Sequence, residues 1–255
     1  MIKAENIFKS FDDTEVLKGI SVSFQPGKTN LIIGRSGAGK TVFLKILVGL
    51  IEPTAGKVWY DGTDFFSLNK KQIREIRMKV GMLFQGSALF DSMTVEENVR
   101  FPLDMFSNDT LAEKKKRVNW CLERVSLSGA NDKYPSEISG GMQKRVGIAR
   151  AIVMEPRYLF CDEPNSGLDP RTALTIDQLI QDITYDQQMT TIINTHDMNS
   201  VMEIGDNIAF LHLGQLAWMG SKDEVLTSDN ELLQGFIFAS PFLQRLRNAA
   251  IENKA

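Results

Sequence analysis

The residues Gly34-Arg35-Ser36-Gly37-Ala38-Gly39-Lys40-Thr41 constrain the fold more than any other part of the chain. They fit the pattern G-x-x-x-x-G-K-[ST], which carries meaning only when a strand precedes it and a helix follows. Both flanks are present. Thr29–Ile33 reads as a short apolar strand, and Thr41–Leu47 reads as a buried helix. The backbone N–H groups of Gly34, Ser36, Gly37, Ala38 and Gly39 can then converge on one anion, and the helix start adds the positive end of its dipole. In this arrangement Lys40 reaches the β- and γ-phosphates of a nucleotide, and the Thr41 hydroxyl is placed to ligate Mg²⁺. The alternative is a chance glycine-rich turn, but every fixed position of the pattern is matched in the required context.

The rest of the chain agrees with a nucleotide-binding α/β fold. Short apolar strands at Val80–Phe84, Tyr158–Cys161 and Thr191–Ile193 alternate with helices, as in a mostly parallel sheet covered on both faces. Asn207–Leu211 and Gln215–Trp218 flank a glycine and read as a hairpin. Thr94-Val95-Glu96-Glu97, Thr110-Leu111-Ala112-Glu113 and Ser221-Lys222-Asp223-Glu224 each match a capping box. Val118, Cys121, Leu122 and Val125 recur at helical spacing, as do Ile176, Leu179, Ile180 and Ile183. From about Ser87 to Pro156 the pattern is nearly all helical, which predicts a helical lobe inserted into the sheet core.

Composition narrows the function. The chain has 255 residues, of which 43% are apolar, enough for one sizeable core, and this predicts a single domain with internal lobes. Its 29 basic and 32 acidic residues leave a net charge of −3, which argues against a broad nucleic-acid footprint. Cys121 and Cys161 form no C-x-x-C element and share no metal-ligand spacing with His196 or His212, so a reducing, cytosolic setting is expected. No apolar stretch approaches the roughly 20 residues of a bilayer span, so any membrane role is expected to come through a partner. The first residues do not read as a secretory signal.

Two further elements carry chemistry. Tyr158–Cys161 runs into Asp162-Glu163, where Asp162 is placed to hold Mg²⁺ and Glu163 to polarise an attacking water. A strand ending in Asp-Glu is weak evidence alone and becomes strong beside the phosphate loop. Ser139-Gly140-Gly141 opens a helix directly before that strand, where a hydroxyl and two amides make a second anion site. Taken alone it is only a helix cap.

In this order the motifs resemble the ATP-binding-cassette ATPases, and the resemblance covers nearly the whole chain. It implies a P-loop NTPase with a RecA-like α/β core, the inserted helical lobe at about residues 87–156, an N-terminal antiparallel β subdomain and a C-terminal tail from about residue 230. Residues 1–255 would form a single nucleotide-binding domain. Ile138-Ser139-Gly140-Gly141-Met142 resembles the Leu-Ser-Gly-Gly-Gln signature, and the serine and glycines are kept. The resemblance implies that Phe11 stacks on adenine, that Gln85 senses Mg²⁺ and couples to the membrane subunit, that Asp169 of Ser166-Gly167-Leu168-Asp169 links two sites, and that His196 contacts the γ-phosphate. Core packing, a polar loop, a helix cap and a structural histidine are the respective alternatives. The implied cofactors are ATP and Mg²⁺. Two copies would form a homodimer around two ATP molecules, each held by one chain and touched by Ser139 and Gly141 of the other.

The cargo rests on resemblance alone. Leu83–Val99, with its Ala88-Leu89-Phe90-Asp91-Ser92-Met93-Thr94-Val95 phrase, Pro102, Gly141-Met142 and Lys144-Arg145-Val146, is similar to the MlaF-like ATPases of the Mla/Mce phospholipid-trafficking transporters. Asn165 stands where many cassettes have threonine. That family implies a membrane permease, an Mce-domain protein, glycerophospholipid exchange between inner and outer membranes, and a place on the cytoplasmic face of the inner membrane. A cassette for amino acids, metal chelates or lipoproteins is opposed only by the Ser87–Val99 phrase. Paired cassettes in translation, coiled-coil repair proteins, nucleotide kinases and GTPases fit less well. There is one phosphate loop, no sustained heptad run and no Asn-Lys-x-Asp element. Phe236, Ile237, Phe238, Phe242, Leu243 and Leu246 form an apolar cluster read as a last helix on the core, with an interface as the alternative.

Overall fold

A computed structural model describes residues 1–238 of the chain. In chain order its elements are β1 (Ile2–Phe11), β2 (Thr14–Phe24), β3 (Lys28–Ile33), α1 (Lys40–Leu47), β4 (Ala55–Tyr60), β5 (Thr63–Asp64), α2 (Lys70–Arg77), β6 (Val80–Leu83), α3 (Val95–Phe106), α4 (Leu111–Arg124), α5 (Gly140–Ile152), β7 (Tyr158–Asp162), α6 (Pro170–Gln187), β8 (Thr190–Asn194), α7 (Met198–Ile204), β9 (Asn207–His212), β10 (Gln215–Gly220), α8 (Lys222–Thr227) and α9 (Glu231–Ile237). Two compact units result. One joins Met1–Ser67 to the described residues from Asn194 onward, and the other is Leu68–Ile193.

In the first unit β1 runs antiparallel to both β2 and β4. Ile2, Ala4 and Ile7 of β1 are fully buried, as the period of a one-sided strand requires, except that a bulge lies between Ala4 and Ile7. Asn6 takes that bulge with φ 49°, a left-handed position that asparagine tolerates better than most residues. β3 pairs in parallel with β9, and β9 runs antiparallel to β10. Leu31, Ile32 and Ile33 are fully buried, so the strand before the phosphate loop is core throughout. α9 returns to this core: Phe236 stacks on Phe210 with ring centroids 5.2 Å apart, and Ile237 and Phe238 are buried. Phe242, Leu243 and Leu246 lie outside the described residues.

In the second unit β7 lies between β6, to which it is parallel, and β8. Every residue of β7 is buried, which explains its continuous apolar run. All three expected capping boxes form, at Thr94, Thr110 and, in the first unit, Ser221. The two helical stripes are buried as read, except that Leu179 is half-exposed. The expected α/β architecture with an N-terminal antiparallel sheet is borne out.

Candidate nucleotide site

In the first unit the loop between β3 and α1 is built on glycines that other residues cannot replace. Gly34 has φ 151°, and a Cβ there would stand 2.3 Å from the Leu211 carbonyl oxygen. Gly39 has φ 93° and precedes α1, whose N-terminus has no side-chain cap. The start of α1 is therefore not covered by a capping side chain, which favours anion binding there. Lys40 is 8% exposed and bends back over the loop, its Nζ donating to the Gly34 carbonyl at 2.9 Å and the Arg35 carbonyl at 3.4 Å. Ser36 and Gly37 are exposed and Ala38 is buried.

Thr41 is exposed, and its hydroxyl oxygen accepts a hydrogen bond from Asn194 Nδ2 at 3.2 Å. Asn194 is fully buried at the end of β8. The bond occupies one lone pair of the hydroxyl oxygen and leaves the other available to a ligand. His196, two residues on, is exposed beside the start of α7, where Asp197 caps the Asn199 N–H at 2.9 Å. Phe11 ends β1 with 43% exposure, and Lys9 Nζ lies 5.0 Å from its ring centroid. This exposed ring is a platform on which a base can stack.

In the second unit the acidic pair ends β7. Asp162 is 7% exposed, and Glu163 is half-exposed in the left-handed region at φ 50°. Such a backbone is strained for a residue with a side chain, and strain of this kind gathers at functional positions. Gln85, two residues after β6, donates from Nε2 to Ser166 Oγ at 3.3 Å, and the Ser166 N–H donates to the Glu163 carbonyl at 3.2 Å. Gln85, Ser166 and Glu163 are thus brought into one network. Lys144 donates from Nζ to the Gln85 carbonyl. Burial pushes its ammonium down, against the pull of Cys161 and the Glu163 and Asp162 carboxylates.

Ser139 caps α5, its Oγ accepting the Met142 N–H at 3.3 Å. Gly140 is exposed, whereas Gly141 is buried so close to α6 that a Cβ would lie 2.7 Å from Thr172 Cγ2. Asp169 caps α6 with bonds of 3.1 Å from the Arg171 and Thr172 N–H groups. The Thr172 hydroxyl and N–H hold its carboxyl below the usual carboxylate range. Within one chain, Asp169 therefore acts as a helix cap.

Thr41 in the first unit and Gln85 and Asp162 in the second each offer a hard oxygen atom, the donor type that suits magnesium. Among the described residues no group of three or more His, Cys, Asp or Glu is placed to hold a metal.

A family model described as ABC transporter matches residues 17–166, more than half of the chain. The chain belongs to the ABC transporter ATPases. The cassette is 39% identical over 236 residues to the probable ribonucleotide transport ATP-binding protein mkl of Mycobacterium leprae, covering 92% of this chain and 68% of that protein. It is 38% identical over 230 residues to the methionine import ATP-binding protein MetN of Corynebacterium diphtheriae, covering 89% of this chain and 67% of that one. The chain spans about two thirds of the length of these relatives. Among solved structures, the ATP-binding cassette MJ0796, captured as a dimer in a post-hydrolysis state with ADP and Pi, superposes with a TM-score of 0.79 at 31% identity, covering 87% of this chain and 99% of that one.

The motifs assign no site role to three residues that make long-range bonds here: Lys144, Arg150 and Asn194. Two of them left a trace in the sequence. Lys144 shares the buried stripe of α5 with Gly141, Ile148 and Ile152, and Asn194 ends an otherwise apolar strand. A polar group on a buried face marks a specific bond.

Proposed function

We propose that the chain is the ATP-hydrolysing subunit of a membrane transporter and works as a homodimer around two ATP molecules. The observation that carries this reading is the phosphate loop, with its uncapped helix start and Lys40 folded over it. In the proposed reaction Gly34, Ser36, Gly37, Ala38 and Gly39 wrap the phosphates, Lys40 contacts the β- and γ-phosphates, and Phe11 stacks on adenine. Thr41, Gln85 and Asp162 hold Mg²⁺, which would screen the phosphate charge. Glu163 polarises the attacking water, and His196 contacts the γ-phosphate. Ser139, Gly140 and Gly141 of one chain close on the nucleotide of the other, and Asp169 lies where the two copies meet. Loss of the γ-phosphate removes charge-assisted bonds made to both chains and lets them part. The dimer of MJ0796 supports this reading by likeness. Glu163→Gln tests it: the variant should retain ATP binding and form a stable ATP-dependent dimer in sedimentation, and wild-type hydrolysis by it would refute the role of Glu163.

The membrane partner is proposed to seat in the second unit. A groove of about 600 Å³ there is floored by Ile73, Met78, Val80, Pro102, Phe106 and Met154 and rimmed by Lys70, Arg74 and Arg77. Phe106 is 45% exposed, with the Arg74 guanidinium 5.7 Å from its ring centroid. No helix among the described residues is long and apolar enough to cross a membrane. A permease segment with an apolar face would bring the chain to the cytoplasmic face of the inner membrane. Phe106→Asp should abolish copurification with the permease and leave ATP binding intact.

For cargo we propose glycerophospholipid, handled with an Mce-domain partner, on the strength of the Ser87–Val99 phrase. The relatives' names favour a second reading, a small polar solute such as an amino acid or nucleotide. Purification of the intact complex followed by lipid extraction separates them. Stoichiometric phospholipid supports the first, and lipid-free complex with solute-stimulated ATPase supports the second.

A further inference from the structure

The loop that carries Gln85 is held from one side by α5. Lys144 Nζ donates to the Gln85 carbonyl, Arg150 Nη2 to the Ser87 carbonyl at 2.5 Å, and Arg150 Nη1 to the Ala88 carbonyl at 2.8 Å. Ser87 and Ala88 have φ of 60° and 47°, a left-handed pair that residues with side chains rarely adopt. The turn presents the carbonyls of Gln85, Ser87 and Ala88 to the helix, and the two cations bond to them. Close approach is allowed by Gly147, where a Cβ would stand 2.7 Å from Leu83 Cδ1 and 3.4 Å from Ser87 Cβ. Lys144 is only 5% exposed, so separating it from its acceptor would leave an ammonium in a dry place. The loop and the helix are therefore tied together. The same helix starts at Ser139, and Gln85 continues through Ser166 to Glu163.

We propose that Lys144 is a positioning residue that couples the Ser139 end of α5 to the Gln85 loop, so that nucleotide held at one site of the dimer is felt at the other. This rests on the proposed two-ATP dimer, in which Ser139 touches the nucleotide of the opposite copy and Gln85 serves the nucleotide of its own chain. Lys144 touches no nucleotide in this scheme. Its loss should change communication between the sites and spare ATP affinity.

The test uses the full-length chain and reads the dependence of hydrolysis on ATP concentration for wild type, Lys144→Met and Lys144→Arg. Wild type should show a Hill coefficient above one, with two sites as its ceiling, and Lys144→Met should fall to about 1. Half-saturating ATP should stay within about twofold of wild type, as coupling rather than intrinsic affinity is removed. Lys144→Arg, which keeps a cationic donor, should restore cooperativity. A merely structural role would lower the rate or the stability and leave the Hill coefficient in place. If Lys144→Met does not fold, Lys144→Gln, polar but shorter, is read instead with the same expectation. Sedimentation of Glu163→Gln with ATP separates the two levels of the argument. If no dimer forms and wild type is non-cooperative, the two-site reading fails and this proposal with it. If the dimer forms and either wild type is non-cooperative or the Lys144 variants keep its Hill coefficient, the coupling role alone is overturned.

Discussion

At the scale of single residues, the site depends on a few atoms that leave no room for change. Gly34 combines φ 151° with a would-be Cβ 2.3 Å from the Leu211 carbonyl oxygen. Gly34→Ala must therefore displace β9 or the loop itself, at about 1–3 kcal/mol for the strained backbone alone. Urea unfolding should show the lower midpoint, and ATP binding should weaken with it. An unchanged midpoint would mean that the loop relaxes freely. Asn194 makes a subtler case. Its amide holds the Thr41 hydroxyl from a fully buried position, and leucine has nearly the same shape without the donor. Asn194→Leu should leave metal-free ATP binding unchanged and weaken the apparent affinity for Mg²⁺ in the presence of ATP. A single lost hydrogen bond of about 0.5–1.5 kcal/mol corresponds to about two- to tenfold. Titration of Mg²⁺ against nucleotide fluorescence reads this directly, and equal Mg²⁺ affinity would show that Thr41 needs no such support.

At the scale of elements, α3 shows how local chemistry specifies structure. Thr94 accepts the Glu97 N–H at 3.2 Å, and Glu97 returns to the Thr94 N–H at 2.8 Å. Thr94→Ala should cost about 1 kcal/mol with no change in denaturant slope. One turn later Asn98, fully buried, donates from Nδ2 to the Phe90, Met93 and Thr94 carbonyls at 3.0–3.1 Å and accepts the Phe90 N–H at 2.8 Å. Asn98→Leu should destabilise more than the cap change does, because each buried group left unpaired costs about 1–3 kcal/mol. If the two variants unfold at the same urea concentration, the 90–94 loop does not depend on Asn98. This contrast marks what the sequence makes legible. Caps and helical stripes lie within one or two turns, so Thr94, Thr110 and Ser221 could be read directly. Asn98 could be seen only as part of a family phrase, because its partners are fixed by how the loop folds back. α2 was missed for a related reason. Its stripe is short, Ile73 and Ile76 one turn apart and only half-buried, and its box uses Asn69 and Gln72 in place of the commoner Ser/Thr and Glu. The phosphate loop was fully legible, since its pattern is contiguous. The bonds from Lys144 to Gln85 and from Asn194 to Thr41 span 59 and 153 positions and could not be read from any local window.

At the scale of the whole molecule, the motifs are shared out. Lys40, Thr41 and His196 belong to the first compact unit, and Gln85, Ser139, Asp162 and Glu163 to the second. The proposed chemistry assigns residues of both units to the same nucleotide, and this has a measurable consequence. A ligand gripped by both must stabilise both, by about 2.7 kcal/mol at one hundred times its dissociation constant. Both cysteines report on the second unit alone. Cys121 and Cys161 are fully buried, and burial pushes the Cys121 thiol up to about 11 and the Cys161 thiol higher still. Neither is reactive until its surroundings open, so the labelling rate by a thiol reagent follows the open population. MgATP at that concentration should slow labelling of Glu163→Gln by about 100-fold, even though the phosphate loop lies in the other unit. Lys40→Ala should abolish the protection by removing the phosphate contact. Labelling that stays fast in saturating MgATP, while ATP binding is shown independently, would mean that the nucleotide is held by the first unit alone, and the roles given to Asp162 and Glu163 would fall.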